Sequence, residues 1–210
     1  MQFRNRLTGS RKPAVFAAPG TSPPLGTPTA LFLNHVVVTN DGTAYISDQL
    51  NSAIIRVDPQ GNASVLASGP QLGNPDGMLL DDGDLTWVTF FGHEVRRLTR
   101  SGKNILEATL PAVDVTGLTL GPNPLPAGAL VLDGYARWHG SLLVTSWVTG
   151  KIYRIGRSGT EIETVTQVVS SRDNPGNPDG PAKINIDQSR GRLLIPLFNA
   201  GQLLILRLPD

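Results

Sequence analysis

Four segments of similar pattern recur along the 210-residue chain, and this repetition constrains the fold more than any other feature. Each segment holds two alternating apolar runs separated by a turn, and successive segments begin 41, 57 and 51 residues apart. The segments are Ala44–Gly61, Leu85–Gly102, Leu142–Gly159 and Leu193–Asp210. Hairpins that recur at such a period are typical of the blades of a β-propeller.

Further short apolar runs flank each hairpin. Those upstream are Val36–Val38, Met78–Leu80, Tyr135–Arg137 and Ile184–Ile186. Those downstream of the first three are Ala63–Ala67, Asn104–Ala108 and Glu161–Thr166. The pattern therefore predicts an all-β propeller with four recognisable four-stranded blades. We expect an irregular stretch at 1–12, a propeller domain at 13–210, and blades near 34–67, 76–108, 133–166 and 182–210.

The last repeat has no outermost strand, because its hairpin reaches the end of the sequence. An unmatched apolar run, Ala14–Ala17, could pair with Leu203–Leu208 and close a four-bladed ring without an open sheet edge. The four blades could instead be part of a larger ring. If the ring is incomplete, two chains could associate to cover the exposed blade faces.

Composition narrows the classes of partner. The net charge of +1 gives no reason to expect a nucleic acid. A basic cluster around the second strand and turn of one hairpin fits a solvated outer face; it consists of Arg96, Arg97, Arg100 and Lys103. The absence of cysteine excludes disulfides, thiolate catalysis and cysteine-bound zinc. No apolar signal region follows residues 1–12, and the apolar tract Leu193–Leu208 is too short and too interrupted to span a membrane. We expect a soluble protein, with cytoplasm and periplasm both open.

Asn34, Asp76 and Asp133 occupy equivalent positions, at 10, 9 and 9 residues before their hairpins. Equivalent positions of a radial fold converge on its axis, so these oxygen-bearing side chains should meet. Converging carboxylates repel unless a cation lies between them, and oxygen ligands suit Ca²⁺, Mg²⁺ or Mn²⁺. The sequence predicts these three residues as metal ligands, with Asp76 and Asp133 also catalytic. In the other interpretation they are turn formers that bond to their own backbone.

The repeats carry motifs that resemble a known family. The chain contains F-L-N-H-V-V-V-T-N-D-G-T-A-Y-I-S-D, N-P-D-G-M-L-L-D-D-G-D-L, L-L-V-T-S-W-x-x-G-K-I-Y-R-I and R-L-L-I-P-L-F-N. Over about residues 13–210 it resembles the C-terminal blades of the senescence-marker/gluconolactonase (regucalcin-like) six-bladed propellers, which are related to NHL-repeat proteins. The resemblance implies a divalent cation in the central channel, and some members hydrolyse sugar lactones.

The positions that match the family's cation ligands are Asn34, Asp76 and Asp133, so the resemblance implies that these residues bind the cation. Ala182 holds the equivalent position in the last blade and cannot bind a metal, and the family's first-blade glutamate has no counterpart here. The resulting hypothesis is a divalent-cation-dependent hydrolase of a small lactone or ester, with a small-molecule substrate. The alternative, favoured by Ala182 and Lys183, is a non-catalytic NHL-like binding or scaffold module.

Aromatic residues and histidines are weaker candidates. Trp87, Trp138 and Trp147 fit gap fillers between blades better than sugar-stacking platforms. His35 adjoins the predicted site, and His139 is expected in a turn before a strand.

Overall fold

The fold is all-β, as the repeat pattern predicts. The computed structural model describes residues 32–120, 123–168, 180–197 and 200–209. Apart from antiparallel sheets, the regular structure within these ranges is two 3₁₀ turns, Pro70–Leu72 and Gln188–Arg190. None of the described helices has the length and apolarity to cross a membrane. The irregular stretch at 1–12 and the closing strand at 14–17 lie outside the described residues.

The strands form four sheets that are arranged as the blades of a β-propeller. Blade 1 contains β1 (Leu33–Val38), β2 (Ala44–Asp48), β3 (Ala53–Val57) and β4 (Ala63–Ser68). Blade 2 contains β5 (Pro75–Asp81), β6 (Asp84–Thr89), β7 (Glu94–Leu98) and β8 (Asn104–Thr109). A ribbon that the repeats do not predict follows, made of β9 (Thr119–Leu120) and β10 (Asn123–Pro124). Blade 3 contains β11 (Leu132–Trp138), β12 (Ser141–Ser146), β13 (Lys151–Ile155) and β14 (Ile162–Gln167). Blade 4, within the described ranges, contains β15 (Asn185–Asp187), β16 (Arg192–Leu197) and β17 (Gln202–Arg207). Strands pair in chain order, so each blade is an antiparallel meander.

Two-residue turns join the innermost strands of blades 2 and 3 to their second strands. Asp82 and Gly83 have φ of 49° and 85°, and His139 and Gly140 have φ of 47° and 81°. Positive φ at both positions is the type I′ geometry that matches the twist of a hairpin. These turns hold β5 against β6 and β11 against β12 in register, and His139 lies in a turn as predicted.

The hydrophobic core lies between the faces of adjacent blades. Ile54 of blade 1 packs with Trp87 of blade 2, and Trp138 of blade 3 packs with Leu193 of blade 4. Trp87 is fully buried and its indole N–H donates to the Leu72 carbonyl at 2.9 Å. The prediction that these two tryptophans fill gaps between blades is therefore confirmed.

The innermost strands stand side by side around a common axis. β5 contacts both β1 and β11, and β11 contacts β15, whereas β1 and β15 have few contacts, if any, in the described part of the chain. The first and last blades both carry exposed apolar residues. Val36 and Val38 of blade 1 are 55% and 58% exposed, and Leu203 and Ile205 of blade 4 are 59% and 58% exposed.

Candidate functional site

The three predicted site residues each lie at a β-bulge in an innermost strand. The strand pairing shifts by one residue directly around Asn34 in β1, Asp76 in β5 and Asp133 in β11. In blade 4, Ala182 follows an isolated bridge at the same place. A bulge bends the strand and re-aims its side chains, and bulges are common beside functional sites. The equivalence of these residues in the sequence thus corresponds to a shared bulge in the backbone. We call the position of Asn34, Asp76, Asp133 and Ala182 the first bulge position.

The second bulge position brings neighbouring blades close together. It is occupied by Gly77 in blade 2 and Gly134 in blade 3, where a Cβ atom would overlap the carbonyl oxygens of Asp133 and Ala182 respectively. Glycine permits this close approach of one backbone to the next. In blade 4 the second bulge position carries Lys183, whose long side chain extends from a place where two other blades have none.

Asp76 is at the centre of the resulting cluster. Its side chain is completely buried. One carboxylate oxygen accepts hydrogen bonds from Asn34 Nδ2 at 2.8 Å and from Gln49 Nε2 at 3.0 Å, and the other accepts from Lys183 Nζ. Both oxygens of Asp76 are therefore bonded to side chains of other blades rather than to its own turn, which contradicts the turn-former interpretation.

Lys183 connects the two predicted carboxylates. Its Nζ lies 2.8 Å from Asp133 Oδ1 and 3.3 Å from the Asp133 carbonyl oxygen, and it also contacts Asp76 Oδ1. The side chains of Lys183 and Asp133 are 35% and 19% exposed. The structure thus brings Asn34, Asp76 and Asp133 together, with an ammonium group between the two carboxylates.

Burial and charge shift the acidities of this cluster. Burial raises the pKa of Asp76 to about 7, the nearby charge of Asp133 adds to the increase, and Lys183 opposes it. Burial by itself would lower the pKa of Lys183, but the charges of Asp133 and Asp76 together outweigh it and raise that pKa above its ordinary value. Lys183 is consequently a cation throughout the neutral range.

The charges of Lys183 and Asp133 also act on His35. Burial, and then the positive charge of Lys183, lower the pKa of His35 to about 4, although Asp133 works in the opposite direction. The imidazole is therefore neutral at pH 7. Its backbone N–H donates to Ser47 Oγ at 2.9 Å, which holds the bulge of β1 against β2.

A pocket of about 520 Å³ opens beside the cluster and is lined by residues of all four blades. We call it the central pocket. Its apolar lining consists of Phe32, Leu33, Leu50, Phe90, Phe91 and Trp147. The rest of its lining consists of Asn34, Gln49, Asp133, Ala182 and Lys183. Asp76 is not part of the lining, so of the two predicted catalytic carboxylates only Asp133 faces the pocket.

Among the lining residues that were not predicted as site residues, three occupy equivalent positions in their blades. Gln49, Phe90 and Trp147 each directly follow the second strand of their blade. Their backbone N–H groups donate equivalent hydrogen bonds to the carbonyls of residues 32, 74 and 131. The signal was available in the sequence, because the residue after each second strand is as much a repeat position as Asn34 is.

Other charged features lie away from the converging positions, and Asp81 of blade 2 pairs with both Arg97 of its own blade and Arg137 of blade 3. A larger surface cleft of about 770 Å³ is lined by blade 3 alone, away from the converging positions. In the basic cluster of blade 2, Arg97 forms ion pairs with Glu107 at 2.7 Å and Asp84 at 3.3 Å, and Arg96 pairs with Glu94 at 2.7 Å. Arg96 and Arg97 are thus paired with acidic groups of their own blade.

The residues present do not fit the divalent cation that the sequence predicts. Among the described residues there is no group of three or more His, Cys, Asp or Glu side chains that could hold a metal ion. Asn34 and Gln49 both direct their N–H groups at Asp76. The space between Asp76 and Asp133 is occupied by the Lys183 ammonium, which would repel a metal ion.

Several solved structures are similar to the chain in fold. One is virginiamycin B lyase from Staphylococcus aureus, with a TM-score of 0.57, 19% identity, and coverage of 89% of this chain and 59% of that chain. A chain of the nidogen/laminin complex gives a TM-score of 0.61, 16% identity, and coverage of 85% and 61%. The computationally designed Ika4 protein gives 0.52, 8% identity, and coverage of 85% and 92%. At these identities the likeness concerns the fold alone, and this chain spans about three fifths of the lyase.

No curated protein matches the sequence. Residues 30–125, which include blades 1 and 2, match the family profile described as the SMP-30/Gluconolactonase/LRE-like region. The resemblance to the senescence-marker/gluconolactonase propellers is therefore confirmed over this part of the chain.

Proposed function

We propose that the central pocket binds a small molecule with an apolar body and a carbonyl head, and that the protein hydrolyses a small lactone or ester bound there. The observation that carries this proposal is the pairing of aromatic and aliphatic walls with the Lys183–Asp133 ion pair in one pocket. Small-molecule sites combine an apolar lining with a few convergent polar groups of shifted pKa, and 520 Å³ is an ordinary size for them.

The chemistry requires a base and a positive charge beside one carbonyl. The Asp133 carboxylate would accept a proton from water while the water oxygen forms a bond to the carbonyl carbon. The Lys183 ammonium would stabilise the negative charge that develops on the carbonyl oxygen. The carbon–oxygen bond of the ring then breaks, the leaving oxygen takes the proton from Asp133, and a hydroxy acid is the product. Asp76 acts as a positioning residue that holds Lys183.

The test measures the hydrolysis of δ-decanolactone and of δ-valerolactone by recording the acid that each reaction releases. The apolar walls predict that the longer lactone has the lower KM. Asp133→Asn should lower kcat by about 10²–10⁴-fold, as expected for loss of a general base. Glu163→Gln is the matched control, because Glu163 is 62% exposed and removing its charge should leave kcat unchanged. Absence of turnover by the wild type, or unchanged kcat in Asp133→Asn, would reject hydrolysis.

The second candidate is a binding module without catalysis. It is favoured by the engagement of Asp133 Oδ1 with Lys183, which competes with proton acceptance from water. Titration of δ-decanolactone against tryptophan fluorescence separates the two, because Trp147 lines the pocket whereas Trp87 and Trp138 are buried between blades. A saturable change that Trp147→Phe abolishes, without turnover, supports the binding module. If there is neither such a change nor turnover, both candidates fail.

A further inference from the structure

We propose that the ammonium group of Lys183 is the resident cation of this site, in the place where the family resemblance implies a metal ion. The inference concerns the site on which the proposed function rests. It goes beyond that function, however, because it specifies that the site needs no metal ion and that removing the lysine side chain would create a metal site between Asp76 and Asp133.

The first support is the coordination of the ammonium group. A lysine ammonium has three N–H donors and no acceptor. Lys183 Nζ donates hydrogen bonds to a carboxylate oxygen of Asp76 and, at 3.3 Å, to the Asp133 carbonyl, and it forms an ion pair with Asp133 Oδ1 at 2.8 Å. Three oxygens thus surround the ammonium group, two through hydrogen bonds and one through its charge, so the group is held in place as a bound ion would be.

The second support is the route by which Lys183 reaches this position. It comes from the second bulge position of blade 4 and contacts Asp76, which is two blades away. The same position is glycine in the one intervening blade, blade 3, and in blade 2 itself, at Gly134 and Gly77. A longer residue at either glycine would meet the backbone of the adjacent blade. The two glycines therefore let the inner strands of blades 2, 3 and 4 approach closely, which brings Asp76 and Asp133 within reach of Lys183.

The third support is the balance of charge. Asp76 is completely buried, and a buried carboxylate is stable only when it is paired or neutral. The two amide groups that it accepts from carry no charge, so Lys183 is its ionic partner. A divalent ion placed between the same carboxylates would have to displace this ammonium. The wild-type protein should therefore bind divalent metals poorly, and removal of the ammonium should create the metal site.

The experiment compares the wild type, Lys183→Ala and the double variant Lys183→Ala/Asp133→Asn, titrated with Mn²⁺ by calorimetry and by thermal melting. Lys103→Ala is the matched control, because Lys103 is exposed on blade 2. We expect no effect of Mn²⁺ or EDTA on the wild type or the control. Lys183→Ala should bind Mn²⁺ at least about tenfold more tightly than the wild type and regain melting temperature with it, because two carboxylates are then free to ligate. The double variant should lose this gain.

Two results would overturn the inference. One is Mn²⁺ binding by the wild type that Asp133→Asn abolishes, an outcome that needs no lysine variant to fold. The other is a Lys183→Ala protein with a wild-type circular dichroism spectrum that remains indifferent to Mn²⁺. Neither result depends on turnover. An inactive protein with the expected metal behaviour would thus reject the proposed hydrolysis and leave this inference standing.

Discussion

Replacement of Lys183 by methionine tests the ion cluster through stability. Methionine keeps most of the length of the side chain but removes its charge, which leaves two carboxylates facing each other. Removing one partner of a buried ion pair costs about 3–5 kcal/mol. Lys183 is 35% exposed and Asp133 is 19% exposed, so screening by water reduces our expectation to about 2–3 kcal/mol. For a chain of this length that corresponds to a fall in melting temperature of about 4–12 °C.

The destabilisation should depend on pH in a defined direction. The pKa of Asp76 is raised from 3.8 to about 7, so between these values the folded state holds a proton that the unfolded state has lost. Wild-type stability therefore decreases as the pH rises through this window. In Lys183→Met the loss of the ammonium raises the pKa of Asp76 further. The effect of the substitution is then largest above about pH 7 and shrinks toward pH 5, where Asp76 is protonated and needs no cation.

The pKa of Lys183 sets the highest pH at which its ammonium group stabilises the folded protein. Its pKa is raised above the ordinary value of 10.5, so its stabilisation is fully present at neutral pH and is lost only as the pH rises through that raised value. Urea unfolding followed by circular dichroism at pH 5 and pH 8 measures the difference, with Lys103→Met as the exposed control. Equal destabilisation at the two pH values, or less than about 1 kcal/mol at pH 8, would refute the reasoning.

Three further predictions follow from the same geometry. Asp76→Asn should flatten the decrease in stability between pH 5 and pH 8, because it removes the group whose folded pKa is about 7; an unchanged slope in urea unfolding would assign that slope to another group. Gly77→Ala should cost about 1–3 kcal/mol of unfolding free energy, since its methyl group would displace the Asp133 carbonyl; wild-type thermal stability would contradict the close packing of blades 2 and 3. The association of two chains, which the sequence analysis expects if the ring is incomplete, stays a prediction: in that case light scattering should find a dimer of the wild type and a monomer of Leu203→Asp/Ile205→Asp, because Leu203 and Ile205 are exposed, and a wild-type monomer at every concentration would contradict it.

The sequence predicts the fold and the convergence of the site well, because both depend on repetition. Hairpin periodicity predicts the blades, and the equivalent positions of Asn34, Asp76 and Asp133 correspond to a shared bulge. A repeat position can be read from spacing alone. The short ribbon at 119–124 has no counterpart in the other blades, so repetition gives no signal for it.

The chemistry of the site is harder to predict from the sequence, because it depends on how far the Lys183 side chain extends toward Asp76 and Asp133. In the sequence analysis Lys183 is only a positive charge that makes the predicted site less acidic. That it enters the centre depends on the length of its side chain, the glycines at positions 77 and 134, and the depth at which Asp76 is buried. None of these follows from spacing. The exclusion of Asp76 from the pocket lining likewise depends on the bonds that Asn34 and Gln49 make to it.

The most direct test of the central claim is a crystal structure of the wild-type protein soaked in Mn²⁺, with anomalous scattering measured at the manganese absorption edge. The account predicts that the Lys183 side chain occupies the space between Asp76 and Asp133 and that no anomalous peak appears there. A manganese peak coordinated by the two carboxylates, with Lys183 displaced toward solvent, would contradict it.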